Sequence, residues 1–146
     1  MATITEVLIL EHALFRQLFD QIERIVDRSR SAREVKSLAA VVEGLLSGHG
    51  ESETNLAYSV LDHVLAERGV LNHLHQEHRE FDSHFARIRG ASDPAEAVRL
   101  LKAALAASRE HFQHEEESVF PVLERTLQPE TLGALGGQWR KRDSVP

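Results

Sequence analysis

Apolar residues recur along this chain at intervals of three and four positions, and nowhere do they alternate over a sustained stretch. Such spacing is typical of amphipathic α-helices that turn one face toward a core. We therefore predict helices over 4–29, 32–67, 71–89 and 94–127. A short fifth helix is predicted from Pro129 to about Arg142, weakened by Gly133, Gly136 and Gly137.

Local signals support these boundaries. The tetrapeptides Ser31–Glu34 and Asp93–Glu96 are capping boxes, and Pro94 takes the first helical position in the second of them. Glycines after arginine, at Arg68-Gly69 and Arg89-Gly90, indicate helix ends. Helices joined by short connections pack antiparallel, so the expected fold is all-α: an up-down-up-down four-helix bundle with a short C-terminal fifth helix. We expect a single domain over 1–146, with a core at 4–127 and a C-terminal tail at 128–146.

The predicted inward faces of the four helices are apolar except at recurring histidines and glutamates and at Ser108. Burying an ionisable group without a partner costs several kcal/mol, so these side chains must satisfy one another or hold a ligand. The second helix shows the pattern, with a predicted inward stripe of Leu38, Val42, Leu45, His49, Glu53, Leu56, Val60 and Val64.

An internal repeat relates the two halves of the chain. His12 is followed by His49 and Glu53, and in the second half His78 is followed by His111 and Glu115. The neighbours repeat as well, since Glu11-His12 matches Glu77-His78. Two related half-sites predict one site between the halves.

The repeated residue types suit a dinuclear metal site. In His-x-x-x-Glu the two side chains lie one turn apart on one helix face. Imidazole suits iron, copper, zinc or nickel, and a carboxylate can bridge two cations. Two bridging glutamates would leave four imidazoles for two ions, with room for solvent, an oxo bridge or a diatomic ligand. Zinc does not need such a bridged arrangement. The alternative is a metal-free network that only satisfies buried polar groups.

Other polar residues are less clearly part of the site. His75 precedes His78 by three positions and is a candidate fifth histidine ligand, whereas His114 could hydrogen-bond a ligand from outside. Tyr58 lies nine residues after His49, which on an α-helix is the opposite face, so we predict that it is not a ligand. His63, His73 and His84 fall off the inward stripes. Pro121 is expected to kink the fourth helix.

Composition narrows the function classes. The chain has 146 residues, and its net charge of -6 disfavours nucleic-acid binding. It has no cysteine, which excludes thiolate metal sites and disulfides. No apolar stretch approaches the ~18 residues of a membrane span, and the N-terminus does not have the pattern of a signal peptide. We expect a cytoplasmic protein with no membrane association; oligomeric state stays open.

The chain contains five motifs: Glu11-His12, His49-x-x-x-Glu53, Glu77-His78, His111-x-x-x-Glu115 and Phe120-Pro121. As a set, they resemble those of the hemerythrin-like family, also called the HHE cation-binding domain. The resemblance covers roughly 4–127. It implies a four-helix bundle with a non-haem di-iron centre, two carboxylate- and oxo-bridged iron ions. The implied metal ligands are His12, His49, Glu53, His78, His111 and Glu115, of which Glu53 and Glu115 bridge. Oxygen carriers of the family have another histidine where this chain has Leu74.

The resemblance implies several functions. Members bind oxygen or nitric oxide, handle iron, decompose peroxide or repair iron centres, and the absence of cysteine disfavours repair. The favoured prediction is a di-iron binding protein that interacts with oxygen, nitric oxide, peroxide or iron. If the protein is an enzyme, we expect a di-iron oxidoreductase of peroxidase or catalase type acting on peroxide. A metal-free helical interaction module is the third alternative.

Overall fold

The computed structural model describes residues 1–64 and 69–142, and side-chain surroundings at 1–63 and 71–141. Seven α-helical segments and two π-helical segments account for most of the described chain. They are α1 (Ile4–Val26), α2 (Ala32–Glu53), π1 (Thr54–Tyr58), α3 (Ser59–Val64), α4 (Gly69–Gly90), α5 (Pro94–His114), π2 (Glu115–Val119), α6 (Phe120–Thr126) and α7 (Pro129–Arg142).

The fold is the up-down-up-down four-helix bundle that the sequence predicts. Its four members are α1, the run α2–π1–α3, α4, and the run α5–π2–α6. Helix α5 packs against α1, α2 and α4, and the fifth helix, α7, lies along α1. The second and fourth members each contain a π-helical segment at about the same level of the bundle.

Side-chain caps set the starts of α1, α2 and α5. Thr3 caps α1 with a full capping box, since its hydroxyl accepts from the Glu6 backbone and Glu6 accepts from the Thr3 backbone. Ser31 and Asp93 accept from the backbone N–H groups of Glu34 and Glu96, so α2 and α5 begin where predicted. The first helix ends at Val26 rather than at 29. The predicted end of the second helix at 67, with the stop at Arg68, lies outside the described residues.

The fifth helix is well packed despite its glycines. Trp139 is only 1% exposed and lies in the same apolar cluster as Ile4 and Leu8 of α1. Gly136 is placed where any Cβ atom would collide with the backbone at Ala2 and Thr3. Glycine therefore permits the close approach of α7 to the N-terminus, and here it aids packing although it lowers helix propensity.

Two apolar clusters fill the bundle, one toward each end. The first includes Phe15, Phe19, Val42, Leu101 and Phe112, and the second includes Leu8, Tyr58, Leu74, Phe120 and Trp139. Between them lies a layer of buried ionisable side chains. Among its described side chains, the predicted stripe of the second helix needs one correction, because Leu45 is 45% exposed and Leu46 is buried in its place. The helix is rotated so that the residue three positions before His49 faces inward.

Candidate metal centre

Four histidines from four bundle helices converge in the polar layer. The Nε2 atoms of His12 and His49 are 3.2 Å apart, and those of His78 and His111 are 2.8 Å apart. His12, His49 and His111 are buried, whereas the side chain of His78 is 23% exposed. Each half of the repeat therefore contributes one pair of imidazoles with the Nε2 atoms directed at each other.

Two buried carboxylates lie between the histidine pairs. Glu115 Oε2 is 3.3 Å from His12 Nε2, and Glu115 Oε1 is 3.1 Å from His111 Nε2. Glu53 Oε2 is 3.7 Å from His49 Nε2 and 3.9 Å from His78 Nε2. Both glutamates thus contact one histidine of each half, which is the position that a bridging ligand requires.

The six side chains form two overlapping donor groups. His12, His49, Glu53 and Glu115 can offer one ligand atom each within 4.8 Å of one another, and so can Glu53, His78, His111 and Glu115. Both glutamates belong to both groups. The structure therefore brings together all six residues singled out in the sequence, in an arrangement that could hold two metal ions.

The carboxylate oxygens show that these residues fit a cation. Within the described chain, both oxygens of Glu53 and Oε2 of Glu115 are buried and make no hydrogen bond of normal geometry, although His12 Nε2 lies 3.3 Å from Glu115 Oε2. Leaving such atoms unpaired costs about 1–3 kcal/mol each, and more when they are charged. A metal ion between the two glutamates would satisfy these oxygens.

Without a cation, the buried charges redistribute protons. Burial and the nearby Glu115 charge raise the pKa of Glu53 well above its usual value. Burial would also raise the pKa of Glu115, but its contacts with His111 outweigh this effect and lower it. Burial opposes protonation of His111, yet the charges of Glu115 and Glu77 raise its pKa to about 9. A cation binding here must displace protons from Glu53 and His111.

Carboxylates outside the centre orient three of the histidines. Nδ1 of His49 donates to Glu11 Oε2 at 2.6 Å, and Nδ1 of His111 donates to Glu77 Oε2 at 2.6 Å. A proton held on Nδ1 leaves the Nε2 lone pair free to bind a metal. The glutamate of each repeated Glu-His dipeptide orients the histidine of the next bundle helix, and not the histidine beside it in the sequence.

His12 is oriented by Glu116, a residue that no pattern in the sequence identifies. Its Nδ1 lies 2.9 Å from Oε1 of Glu116, which also accepts from Arg16 at 2.8 Å. The equivalent of Glu116 in the first half is Thr54. The only sequence signal for Glu116 was its place directly after Glu115.

Tyr58 lies at the centre, so the prediction that it faces away was wrong. Its ring is fully buried beside His78, at 6.1 Å between centroids, and its hydroxyl donates to Glu115 Oε1. The cause is π1, whose i→i+5 hydrogen bonds place one more residue in the turn than an α-helix has. Tyr58 follows Glu53 by five residues and therefore lies over it on the inner face. Burial, followed by the charges of both glutamates, raises the pKa of Tyr58.

His75 and His114, whose roles the sequence leaves undecided, lie outside the central donor groups. His75 places its ring 5.5 Å from that of Tyr58, edge to face, and among the described residues it belongs to neither group. Nδ1 of His114 contacts Glu77 Oε1 at 2.9 Å. Glu77 in turn binds His111, so His114 is two contacts away from the centre.

The two halves differ in how they cover their histidines. Phe112 stacks on His12 with ring centroids 4.1 Å apart and seals that side. Gly50 holds the equivalent place in the first half, and a Cβ there would lie 3.3 Å from Cε1 of His78. A surface pocket of about 400 Å³ opens at this point, lined by residues that include Gly50, Thr54, His75, His78 and Arg79. The centre is therefore closed at His12 and reachable at His78.

A four-helix bundle that brings two groups of two histidines and two glutamates into its core defines a helical metal-binding domain. The family model of the hemerythrin HHE cation-binding domain matches residues 3–123, and the chain belongs to that family. Comparisons with curated proteins and with solved structures found no match. In the described part of the chain, no helix has the length and apolar character needed to span a membrane.

Proposed function

We propose that this protein binds two iron ions in a dinuclear centre and uses them to bind a small molecule: oxygen, nitric oxide or peroxide. The proposed ligands are His12 and His49 for one ion, His78 and His111 for the other, with Glu53 and Glu115 shared. Iron suits this mixture of imidazole and carboxylate donors. When bound, the ions supply redox chemistry and coordination positions open to a small ligand.

One observation carries the proposal. The two donor groups share both glutamates, and three of the four oxygens of these glutamates are buried without a hydrogen bond among the described residues. A network that existed only to satisfy polar groups would not leave those oxygens unpaired. Bridging cations account for the doubled motif and for the unpaired oxygens together, whereas a metal-free interaction module accounts for neither.

Tyr58 extends the proposed donor set. Its hydroxyl contacts Glu115 and its ring lies beside His78, so it would lie close to an ion held by His78 and His111. That half also has Leu74, buried in the core, where oxygen carriers of the family have another histidine. We propose that the Tyr58 oxygen takes part in the coordination of this ion in place of the absent nitrogen.

The opening at Gly50 supports a second candidate function. A small molecule can approach His78 from the pocket without displacing an apolar side chain such as Phe112. Such access favours turnover of hydrogen peroxide over protected storage of oxygen. In a catalase-type reaction, one peroxide is oxidised to oxygen and a second is reduced to water, so no further reductant is needed.

Iron content tests the primary proposal. Protein produced with ample iron should contain close to two iron ions per chain. Glu53→Ala and Glu115→Ala should each lose both ions, because each bridge serves both, whereas the exposed Glu117→Ala should keep them. Glu53→Ala should still fold, because the Glu53 carboxylate makes no hydrogen bond among the described residues. Glu115→Ala also removes the partner of His111 and Tyr58, so circular dichroism must show that this variant is folded before its iron content is interpreted. Iron-free wild-type protein with an intact fold would contradict the proposal.

Reaction with peroxide separates the two candidate functions. Evolution of one oxygen per two peroxides consumed, repeated over many turnovers, would establish the enzyme. A stable adduct with nitric oxide or oxygen, together with negligible peroxide consumption, would establish the binding protein. The Glu115→Ala variant serves as the background control in both measurements.

A further inference from the structure

A second cluster of metal-binding side chains lies on the flank of the bundle. His73 and Glu77 lie one turn apart on α4, and His114 ends the neighbouring α5. Glu77 Oε1 is 3.1 Å from His73 Nε2 and 2.9 Å from His114 Nδ1. One ligand atom from each of the three residues lies within 4.8 Å of the other two.

The geometry of the cluster suits a single ion. Around a tetrahedral ion with bonds of ~2.0–2.1 Å, ligand atoms are about 3.4 Å apart, so small side-chain movements would complete the site. His73 and His114 are 65% and 42% exposed, whereas Glu77 is 14% exposed. The site is thus anchored by a mostly buried carboxylate and open to solvent on its histidine side, which leaves room for water as a fourth ligand.

The internal repeat shows that the two histidines are additional. Glu11 corresponds to Glu77 and orients His49 as Glu77 orients His111. The positions equivalent to His73 and His114 are Val7 and Ser52. In the first half the carboxylate therefore orients its histidine without an imidazole at either place. In the second half, two imidazoles contact the outer oxygen of the corresponding carboxylate, and the first half shows that orienting a histidine does not require them.

We propose that His73, Glu77 and His114 bind one divalent transition-metal ion, with Zn²⁺ the best match to two imidazoles, one carboxylate and one water. The proposed ligand atoms lie outside the two donor groups of the dinuclear centre. Glu77 touches both, through Oε1 at the flank and through Oε2 at His111. Substitution of Glu77 would therefore disturb the centre, and the histidines are the residues to change.

Zinc titration of the iron-loaded protein tests the proposal. Isothermal titration calorimetry should show one saturable Zn²⁺ site per chain. His73→Ala and His114→Ala should each weaken it by at least about tenfold, because the loss of a residue that only orients a ligand already costs about 10–100-fold in metal affinity. Iron content and circular dichroism should stay unchanged in both variants. The control is His63→Ala, which removes another exposed histidine from α3 and should leave zinc binding as it was.

The outcomes that would overturn the proposal are distinct from failure of the dinuclear centre. Absence of saturable zinc binding, or equal zinc affinity in the wild type and both histidine variants, would contradict the flank site. Loss of zinc binding in Glu53→Ala or Glu115→Ala, with His73→Ala unaffected, would show that zinc enters the centre instead. Zinc binding that persists in a chain whose centre takes up no iron, and that His73→Ala and His114→Ala still weaken, would support the flank site alone.

Discussion

Tyr58 and Phe120 hold equivalent positions in the two halves, and their side chains differ by one hydroxyl group. Both follow one of the two shared glutamates by five residues, and both are buried at the centre by a π-helical turn. Phe120 stacks on His12 at 5.6 Å, whereas Tyr58 lies beside His78 and binds Glu115. Comparison of Tyr58 with Phe120 therefore indicates what the hydroxyl group contributes.

We expect Tyr58→Phe to keep close to two iron ions per chain and to lose a visible absorption band. The phenylalanine ring fits because Phe120 fills the equivalent space. A tyrosine oxygen bound to ferric iron gives a charge-transfer band, and removal of the hydroxyl abolishes it. Optical spectra of the ferric proteins at equal iron content provide the measurement. Identical spectra would show that Tyr58 only hydrogen-bonds Glu115.

At the residue scale, the convergence of six side chains at the centre could be predicted because the signal is doubled. His12, His49 and His78 interrupt apolar stripes, and the same interruption recurs in the other half of the chain. The inward orientation of Tyr58 could not be predicted, since the spacing of a continuous α-helix places it on the opposite face and only the π-helical turn brings it inward. Glu116 was missed for a different reason, because its partner His12 is remote in the sequence and no periodic pattern connects the two.

At the element scale, the π-helical segments reshape the centre. One begins at Thr54, directly after Glu53, and the other begins at Glu115 itself. Pro121 lacks an N–H group and stands just after π2, but the first half has Ser59 there and forms π1 nevertheless. Proline is therefore not required for these turns. Helix starts were predictable because caps are local, as at Ser31 and Asp93, whereas a π turn has no comparable local signal.

The pocket beside α2 is the expected route by which small ligands reach the centre. We expect Gly50→Leu to slow the binding of azide to the ferric centre by at least about tenfold, which corresponds to ~1.4 kcal/mol in the barrier. A side chain at this position would contact His78 and fill the mouth of the pocket. Stopped-flow mixing of the iron-loaded protein with azide gives the rate.

Gly48→Leu is the matched control for this experiment. It replaces a glycine in the same helix, at an exposed position where a Cβ meets nothing within 4 Å. Both variants gain helix propensity by up to about 1 kcal/mol, so a difference between them reports on the pocket and not on helix stability. Equal azide rates in wild type, Gly50→Leu and Gly48→Leu would mean that ligands enter elsewhere.

At the scale of the whole molecule, the bundle consists of two apolar clusters separated by a polar layer. The four bundle members each cross this layer, so its ionisable groups join all of them at one level. Without a cation the layer keeps unpaired carboxylate oxygens and carries altered protonation at Glu53 and His111. The stability of the bundle should consequently depend on the metal more than its extensive apolar packing suggests.

We therefore predict that removing the metal lowers the melting temperature. Ligand that binds only the native state stabilises it by about 2.7 kcal/mol at a hundredfold excess over Kd. For a domain of this size, each kcal/mol shifts Tm by roughly 2–4 °C, so the expected loss is about 5–10 °C. Calorimetry of iron-loaded and chelator-treated protein measures it. Chelator should leave the Tm of the Glu53→Ala and Glu115→Ala variants unchanged, because their centres hold no iron to remove. Equal melting temperatures for loaded and metal-free wild-type protein would place the metal outside the polar layer, because ions bridging four helices cannot leave them without loosening the bundle.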